Sequence, residues 1–245
     1  MELTFLGCGD AFGSGGRFNT CFHLAAPDTC FLIDCGASSL IAMKRFGVDR
    51  NSIDTIFVTH FHADHFGGIP FFILDAQLLA GRETPLTIVG PEGLERWYER
   101  VLETAFPGSA AARRKFEVTL VEITPDRRVT INGVDVLAAR VRHGPVEGPF
   151  LAYRFSVGGK SIAYTGDTEW VDSLVGLCKG ADLLISEAYF HEKKVPLHLD
   201  LKTLEEKLPR LAPGRLILTH MNEDMLNRID QLDYECAEDG MVVEI

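Results

Sequence analysis

Between His60 and His65 the chain carries three imidazoles and one carboxylate, in the string His60-Phe61-His62-Ala63-Asp64-His65, and Phe66-Gly67-Gly68 follows. Imidazole and carboxylate together are the ligands of divalent transition ions. His60 and His62 lie two apart, so in extended or turning backbone both point the same way. Asp64 and His65 follow at once and can serve a second point close by. A tetrahedral zinc takes about four ligands. If this cluster supplies the first ligands of two ions, the rest must come from later in the chain.

The remaining candidates stand where strands are expected to end. His143 ends Ala-Ala-Arg-Val-Arg-His, Asp167 ends Ile-Ala-Tyr-Thr-Gly-Asp, and His220 ends Arg-Leu-Ile-Leu-Thr-His. Loops at strand ends are where a rigid scaffold carries chemistry. A lone histidine at such a place is ordinarily structural, so the conjunction of all four segments makes the case. Asp34 likewise closes the apolar string Phe-Leu-Ile-Asp, and a buried carboxylate is costly unless it is paired.

The elements that must position these residues follow from apolar runs and turn residues. A strand over 3–6 opens the chain. Strands over 21–25 and 30–34 flank Pro27-Asp28 as a hairpin. A helix over 38–46 starts with Ser38 as its N-cap. The strand over 54–59 delivers the histidine cluster, and a helix over 69–80 follows it. A strand over 86–90 leads to a helix over 91–105 with Pro91 in its first turn. Segments 116–123 and 129–142 are β in character, the second turning at Asn132-Gly133. Strands over 151–157 and 161–165 flank Gly158-Gly159. Then come a helix over 168–178, a strand over 183–186, a helix over 201–211, a strand over 215–219, and a short helix and strand ending at 245. One domain over 1–245 with two sheets between helices is the simplest arrangement.

Composition narrows the class. The chain has 245 residues, 46% hydrophobic and 24% charged, as in an ordinary globular protein. A net charge of −11 argues against a broad basic face for nucleic acid. It leaves room for an anionic substrate, because bound cations dominate a local field. The six cysteines show no Cys-x-x-Cys pairing and no disulfide framework. The loop Gly13-Ser14-Gly15-Gly16 lacks the lysine and helix of a phosphate-binding P-loop, so no organic cofactor site is read there. The first residues read as a strand and not as a signal peptide, and no apolar run is long enough for a membrane span. A cytoplasmic protein is the default expectation.

Taken together, His-x-His-x-Asp-His with Gly-Gly, then His143, the Asp167 of Thr-Gly-Asp-Thr, and His220 resemble the metallo-β-lactamase superfamily. The resemblance runs over nearly the whole chain and includes Leu32-Ile33-Asp34-Cys35-Gly36. It implies an α/β fold, a four-layer αββα sandwich with a dinuclear site. Carried over, His60, His62 and His143 would hold one ion and Asp64, His65 and His220 the other, with Asp167 bridging. Two divalent ions are implied, zinc first, with manganese or iron as the other ions this set admits. A metal-bridging hydroxide would be the nucleophile, and Asp34 would accept a hydrogen bond from a ligand histidine.

Within the superfamily, Asp64 argues against the flavodiiron oxidoreductases. The strings Leu-Gly-Cys-Gly-Asp-Ala-Phe-Gly and Phe18-Asn19-Thr20-Cys21 resemble the ribonuclease Z and small phosphodiesterase group. Ser186-Glu187-Ala188 sits where ribonuclease Z carries His-Glu-Ala, and His198 sits where that group has a catalytic histidine. The resemblance therefore implies Asp64, His198 and Glu187 as the catalytic set, His198 as general acid and Glu187 orienting it. His23 and His191 are expected to be structural. Arg17, Arg142 and Tyr189 are candidates for substrate contact. Only 24 positions separate His143 from Asp167, where ribonuclease Z inserts a long arm for transfer RNA.

The sequence thus points to a metal-dependent hydrolase of a small phosphodiester or nucleotide. Its partners would be a small, anionic molecule and not DNA, RNA or membrane, and a homodimer is implied by the resemblance alone. The alternative is hydrolysis of a lactone, thioester or other carboxylic ester or amide. Transfer-RNA 3′ processing and a non-enzymatic binding protein rank below both.

Overall fold

The computed structural model describes residues 1–144 and 148–245. The first half of the chain builds one sheet from β1 (Glu2–Gly7), β2 (Cys21–Ala26), β3 (Thr29–Ile33), β4 (Thr55–Phe57), β5 (Leu86–Gly90) and β6 (Val118–Glu122). Between them lie α1 (Ser39–Arg45), α2 (Ala63–Phe66), α3 (Ile69–Leu78) and α4 (Leu94–Ala105). The second half builds the other sheet from β7 (Val129–Ile131), β8 (Val134–Arg140), β9 (Leu151–Val157), β10 (Lys160–Tyr164), β11 (Leu183–Glu187), β12 (Leu216–Thr219) and β13 (Glu235–Cys236). Its helices are α5 (Ser173–Cys178), α6 (Leu201–Leu211) and α7 (Glu223–Leu226). The last strand, β14 (Met241–Glu244), returns to pair antiparallel with β1, giving seven strands in each sheet.

Alternation along the strands makes the four layers. One face of each sheet points into a shared core, where Phe31 and Phe57 stand 5.2 Å apart and Phe57 meets Phe155 at 5.0 Å. The other face of the first sheet packs Leu32, Ile56 and Ile88 against Phe72 and Leu102 from its helices. The second sheet does the same with Leu184 and Leu218 against Leu177 and Leu204. The result is the αββα sandwich that the sequence predicts. Among the described residues no helix is long and apolar enough to cross a membrane.

Three local expectations are corrected. The helix expected from Pro91 begins at Leu94, because Gly93 takes φ 91 and stops the helix from extending back to the proline. The helix expected over 168–178 covers only Ser173–Cys178; the Thr168 backbone is committed elsewhere, its N–H donating to Glu187. Ser38 precedes α1 but caps nothing with its side chain, which instead accepts from the Asn19 N–H at 2.7 Å.

Strands β3, β4, β5 and β6 run parallel, as do β10, β11, β12 and β13. Their C-terminal ends therefore lie at one rim, where open α/β sheets place their ligand sites. Asp34, His60, Asp167, Glu187 and His220 all sit at or just past such ends.

Candidate active site

Six of the eight histidines meet at this rim. The ligand-type atoms of His60, His62 and His143 lie within 4.8 Å of one another. Those of Asp64, His65, Asp167 and His220 do too, and those of His143, Asp167 and His198 form a third such group. Asp167 joins the groups: its Oδ2 lies 3.2 Å from His65 Nε2, 3.1 Å from His220 Nε2 and 3.5 Å from His143 Nε2. His23 instead faces Cys30 at 3.0 Å on the helix side of the first sheet, away from this rim.

The imidazoles are aimed from behind. His60 Nδ1 meets Thr59 Oγ1 at 3.0 Å, His65 Nδ1 meets Asp34 Oδ2 at 2.7 Å, and His220 Nδ1 meets Thr20 Oγ1 at 3.3 Å. His143 Nδ1 donates to the Leu197 carbonyl at 2.8 Å. Each outer bond fixes a tautomer and a ring orientation, and turns Nε2 inward with its lone pair. His62 presents Nδ1, which lies 3.1 Å from His143 Nε2. Asp34 is itself held by the Thr59 N–H at 2.7 Å and by the Thr59 hydroxyl.

Backbone strain gathers at the same rim. Asp34, Leu197 and His220 take φ 59, 72 and 55, a region that side-chain-bearing residues seldom adopt. The glycines after the cluster have a steric reason. A Cβ on Gly68 would meet the Gly36 carbonyl at 2.2 Å, and a Cβ on Gly36 would meet the Asp64 carbonyl at 2.2 Å. The loops of β3 and β4 thus approach to backbone contact, which presses Asp34 against His65.

The electrostatics suit cations. Burial lowers His60, His62 and His220, and takes His143 down to about 4, which favours the neutral ring that a metal ion requires. Burial opposes the charge on Asp167, but His220, His65 and His60 outweigh it and hold the carboxylate well below its usual range. His65 runs the other way: burial is overcome by Asp167, Asp34 and Asp64, which favour positive charge at that point. His60 Nε2, His65 Nε2 and Asp167 Oδ1 are buried without a hydrogen-bond partner. Buried polar atoms are rarely left so, and inward-facing orphans on two imidazoles and a carboxylate fit divalent metal.

Beside this centre, His198 Nδ1 lies 2.8 Å from Glu187 Oε2, and the Tyr189 ring stacks on His198 at 4.3 Å. Glu187 is fully buried and also accepts from the Thr168 N–H. Burial opposes a charge on His198, but Glu187 and then Asp167 and Asp64 push it up to about 9. Bound cations facing it from His143 and Asp167 would bring it back down. Of the candidates for substrate contact, only Tyr189 reaches this centre. Arg17 turns to the Ala237 carbonyl at 2.6 Å, and Arg142 points outward to Glu169 at 3.4 Å. Thr59, Thr20, Leu197 and Phe150 are functional neighbours that the sequence does not announce. The Phe150 ring stands 5.6 Å from His60 and 5.5 Å from His143.

Fold and site together define a metallo-β-lactamase-fold, metal-dependent hydrolase. More narrowly, residues 1–238 match the family model described as anti-Pycsar protein Apyc1, and the chain belongs to that family. It is also similar to ribonuclease Z of Methanothermobacter thermautotrophicus, 27% identical over an alignment of 298 residues covering all of this chain and 97% of that protein. The short form of human tRNase Z superposes with a TM-score of 0.80 at 26% identity, covering 100% of this chain and 99% of that one. A diphosphatase from the PhnP family superposes with a TM-score of 0.81 at 23% identity, covering 100% and 97%.

Proposed function

We propose that the protein is a dinuclear metal-dependent phosphodiesterase acting on a small phosphodiester or nucleotide. The observation that carries this is the inward aim of His60, His65, His143 and His220, each fixed by its own outer partner, around Asp167. His60, His62 and His143 would hold one ion, and Asp64, His65 and His220 the other, with Asp167 between. The imidazole-rich set favours zinc over manganese or iron. When bound, the ions supply activated water and neutralise charge on an anionic ester.

The chain's own groups do the rest. Asp167 fixes the spacing of the two ligand groups. His198, held by Glu187, donates a proton to the leaving oxygen. Tyr189 stacks on His198 and keeps its ring in plane with that transfer. A small substrate accords with the short connection between His143 and Asp167, whose described residues carry the hairpin of β9 and β10. The 298-residue alignment to a chain of 245 means that the ribonuclease Z carries residues this chain lacks. The reading places the enzyme in the cytoplasm, where its six free thiols stay reduced.

The test is turnover of bis(p-nitrophenyl) phosphate and of cyclic nucleotides by the metal-loaded protein. Hydrolysis of either supports the reading. Turnover of aryl esters or thioesters with none of phosphodiesters selects carboxylic ester hydrolysis instead. The role of His198 has its own check. His198→Ala is expected to lower kcat about 100- to 10,000-fold on an alkyl leaving group. On p-nitrophenolate, which leaves without a proton, the loss should stay under about tenfold. Equal losses on both would remove His198 from the proton transfer.

A further inference from the structure

A cavity of about 520 Å³ opens beside the metal centre at the same rim, and the chemistry above makes no use of it. Its size is that of a small-molecule site. Gly93, Ile123, Arg140 and Leu151 line it, from the C-terminal ends of β5, β6 and β8 and the start of β9. Phe150 is the partition. Its neighbours Pro149 and Leu151 line the cavity, while its own ring lies against His60 and His143. The Leu151 N–H donates to the Thr59 carbonyl at 3.0 Å, which ties the cavity wall to the residue that aims His60.

Two arginines line this cavity, Arg96 and Arg140. Val134, Val136 and Ala138 face the core between the sheets. Strand alternation gives Arg140 the same facing, one step beyond the last core layer. Arg96 stands in the first turn of α4, its Nη2 over Gly93. Among the described residues no carboxylate pairs with either guanidinium. Of the two glutamates on the wall, Glu122 is already engaged, accepting from the Gly93 N–H at 2.9 Å. In a protein of net charge −11, a wall with as many arginines as glutamates, two of each, is a local departure from the acidic average.

Guanidinium forks match phosphate oxygens in geometry and charge. We infer that this cavity is a second-phosphate subsite, so that the preferred substrate is a phosphodiester bearing a further phosphate group away from the scissile bond. Arg140 and Arg96 grip that group while the diester lies on the metal side of Phe150. The inference rests on the phosphodiesterase reading, and the experiment separates the two.

Thymidine 5′-(p-nitrophenyl phosphate) and its 3′-phosphorylated counterpart differ by one phosphate. For the metal-loaded wild type, kcat/KM should be at least about tenfold higher on the 3′-phosphorylated ester, with the gain in KM. Arg96→Ala and Arg140→Ala should each reduce that ratio, and the double variant should bring it to about one, with turnover of bis(p-nitrophenyl) phosphate unchanged. A wild-type ratio near one overturns the subsite, as does a ratio that survives in the double variant. Calorimetry gives a readout without turnover: thymidine 3′,5′-bisphosphate should bind at least about tenfold tighter than thymidine 5′-monophosphate, and lose that margin in the double variant. Equal affinities in the wild type overturn the subsite. If neither ester is cleaved, the phosphodiesterase reading fails while the calorimetry still decides the subsite.

Discussion

Asp64→Ala is expected to abolish hydrolysis, lowering kcat about 10,000-fold or more, and to halve the metal content. The Asp64 carboxylate lies 3.3 Å from His65 Nε2 and 4.0 Å from His220 Nε2, so it belongs to the second candidate ligand group. Without it that group keeps two imidazoles and a share of Asp167. The first group, His60, His62 and His143, is untouched. The asymmetry is the point: one ion per chain should remain and turnover should not. Circular dichroism checks that the fold stands, and elemental analysis counts the ions. Retention of both ions, or of turnover within about tenfold of wild type, would show that Asp64 is not a ligand.

The second large effect is expected from Asp34→Asn, a change of one atom outside the ligand set. Asparagine tolerates the φ of 59 at this position, so the backbone can stay. Its carbonyl oxygen can still accept from the Thr59 N–H, now 2.7 Å from Asp34 Oδ1. The atom facing His65 Nδ1 at 2.7 Å then becomes an NH₂ group, and donor meets donor. The ring escapes by moving its proton from Nδ1 to Nε2, which removes the lone pair from the metal side. Loss of such an outer partner lowers metal affinity about 10- to 100-fold. The free-zinc concentration at half-maximal activity should rise by that factor, with activity recovered at excess zinc. An unchanged midpoint would mean that Asp34 does not set the His65 tautomer.

The two predictions mark how legible the site is in the sequence. Asp64 belongs to a spacing that is visible at once, and His143, Asp167 and His220 stand out because each follows an apolar strand. The link from Asp34 to a ligand histidine is implied by resemblance and becomes a specific pair, with His65, only once β3 and β4 are side by side. Thr59, Thr20 and the Leu197 carbonyl carry no signal at all, since hydroxyls and peptide groups occur everywhere and their direction depends on tertiary contacts. Leu197 does its work from a positive φ, which nothing in a leucine announces. The strands are read well because burial on both faces leaves long apolar runs. Helix starts are read worse. The expected start at Pro91 gives way to the φ of Gly93, and the expected start at Thr168 to a bond with Glu187. Arg96 and Arg140 stand far apart in sequence, and only the meeting of α4 with the end of β8 brings them to one cavity.

The central claim is that two metal ions in this cluster drive phosphodiester cleavage. The most direct measurement strips the protein with a chelator and adds zinc back stepwise. Bound metal is counted by elemental analysis at each step, and turnover of bis(p-nitrophenyl) phosphate is followed in parallel. The account predicts no turnover in the stripped protein, saturation at two ions per chain, and turnover that rises as the second ion binds. Turnover that survives stripping, or a protein that binds no zinc at this site, would contradict it.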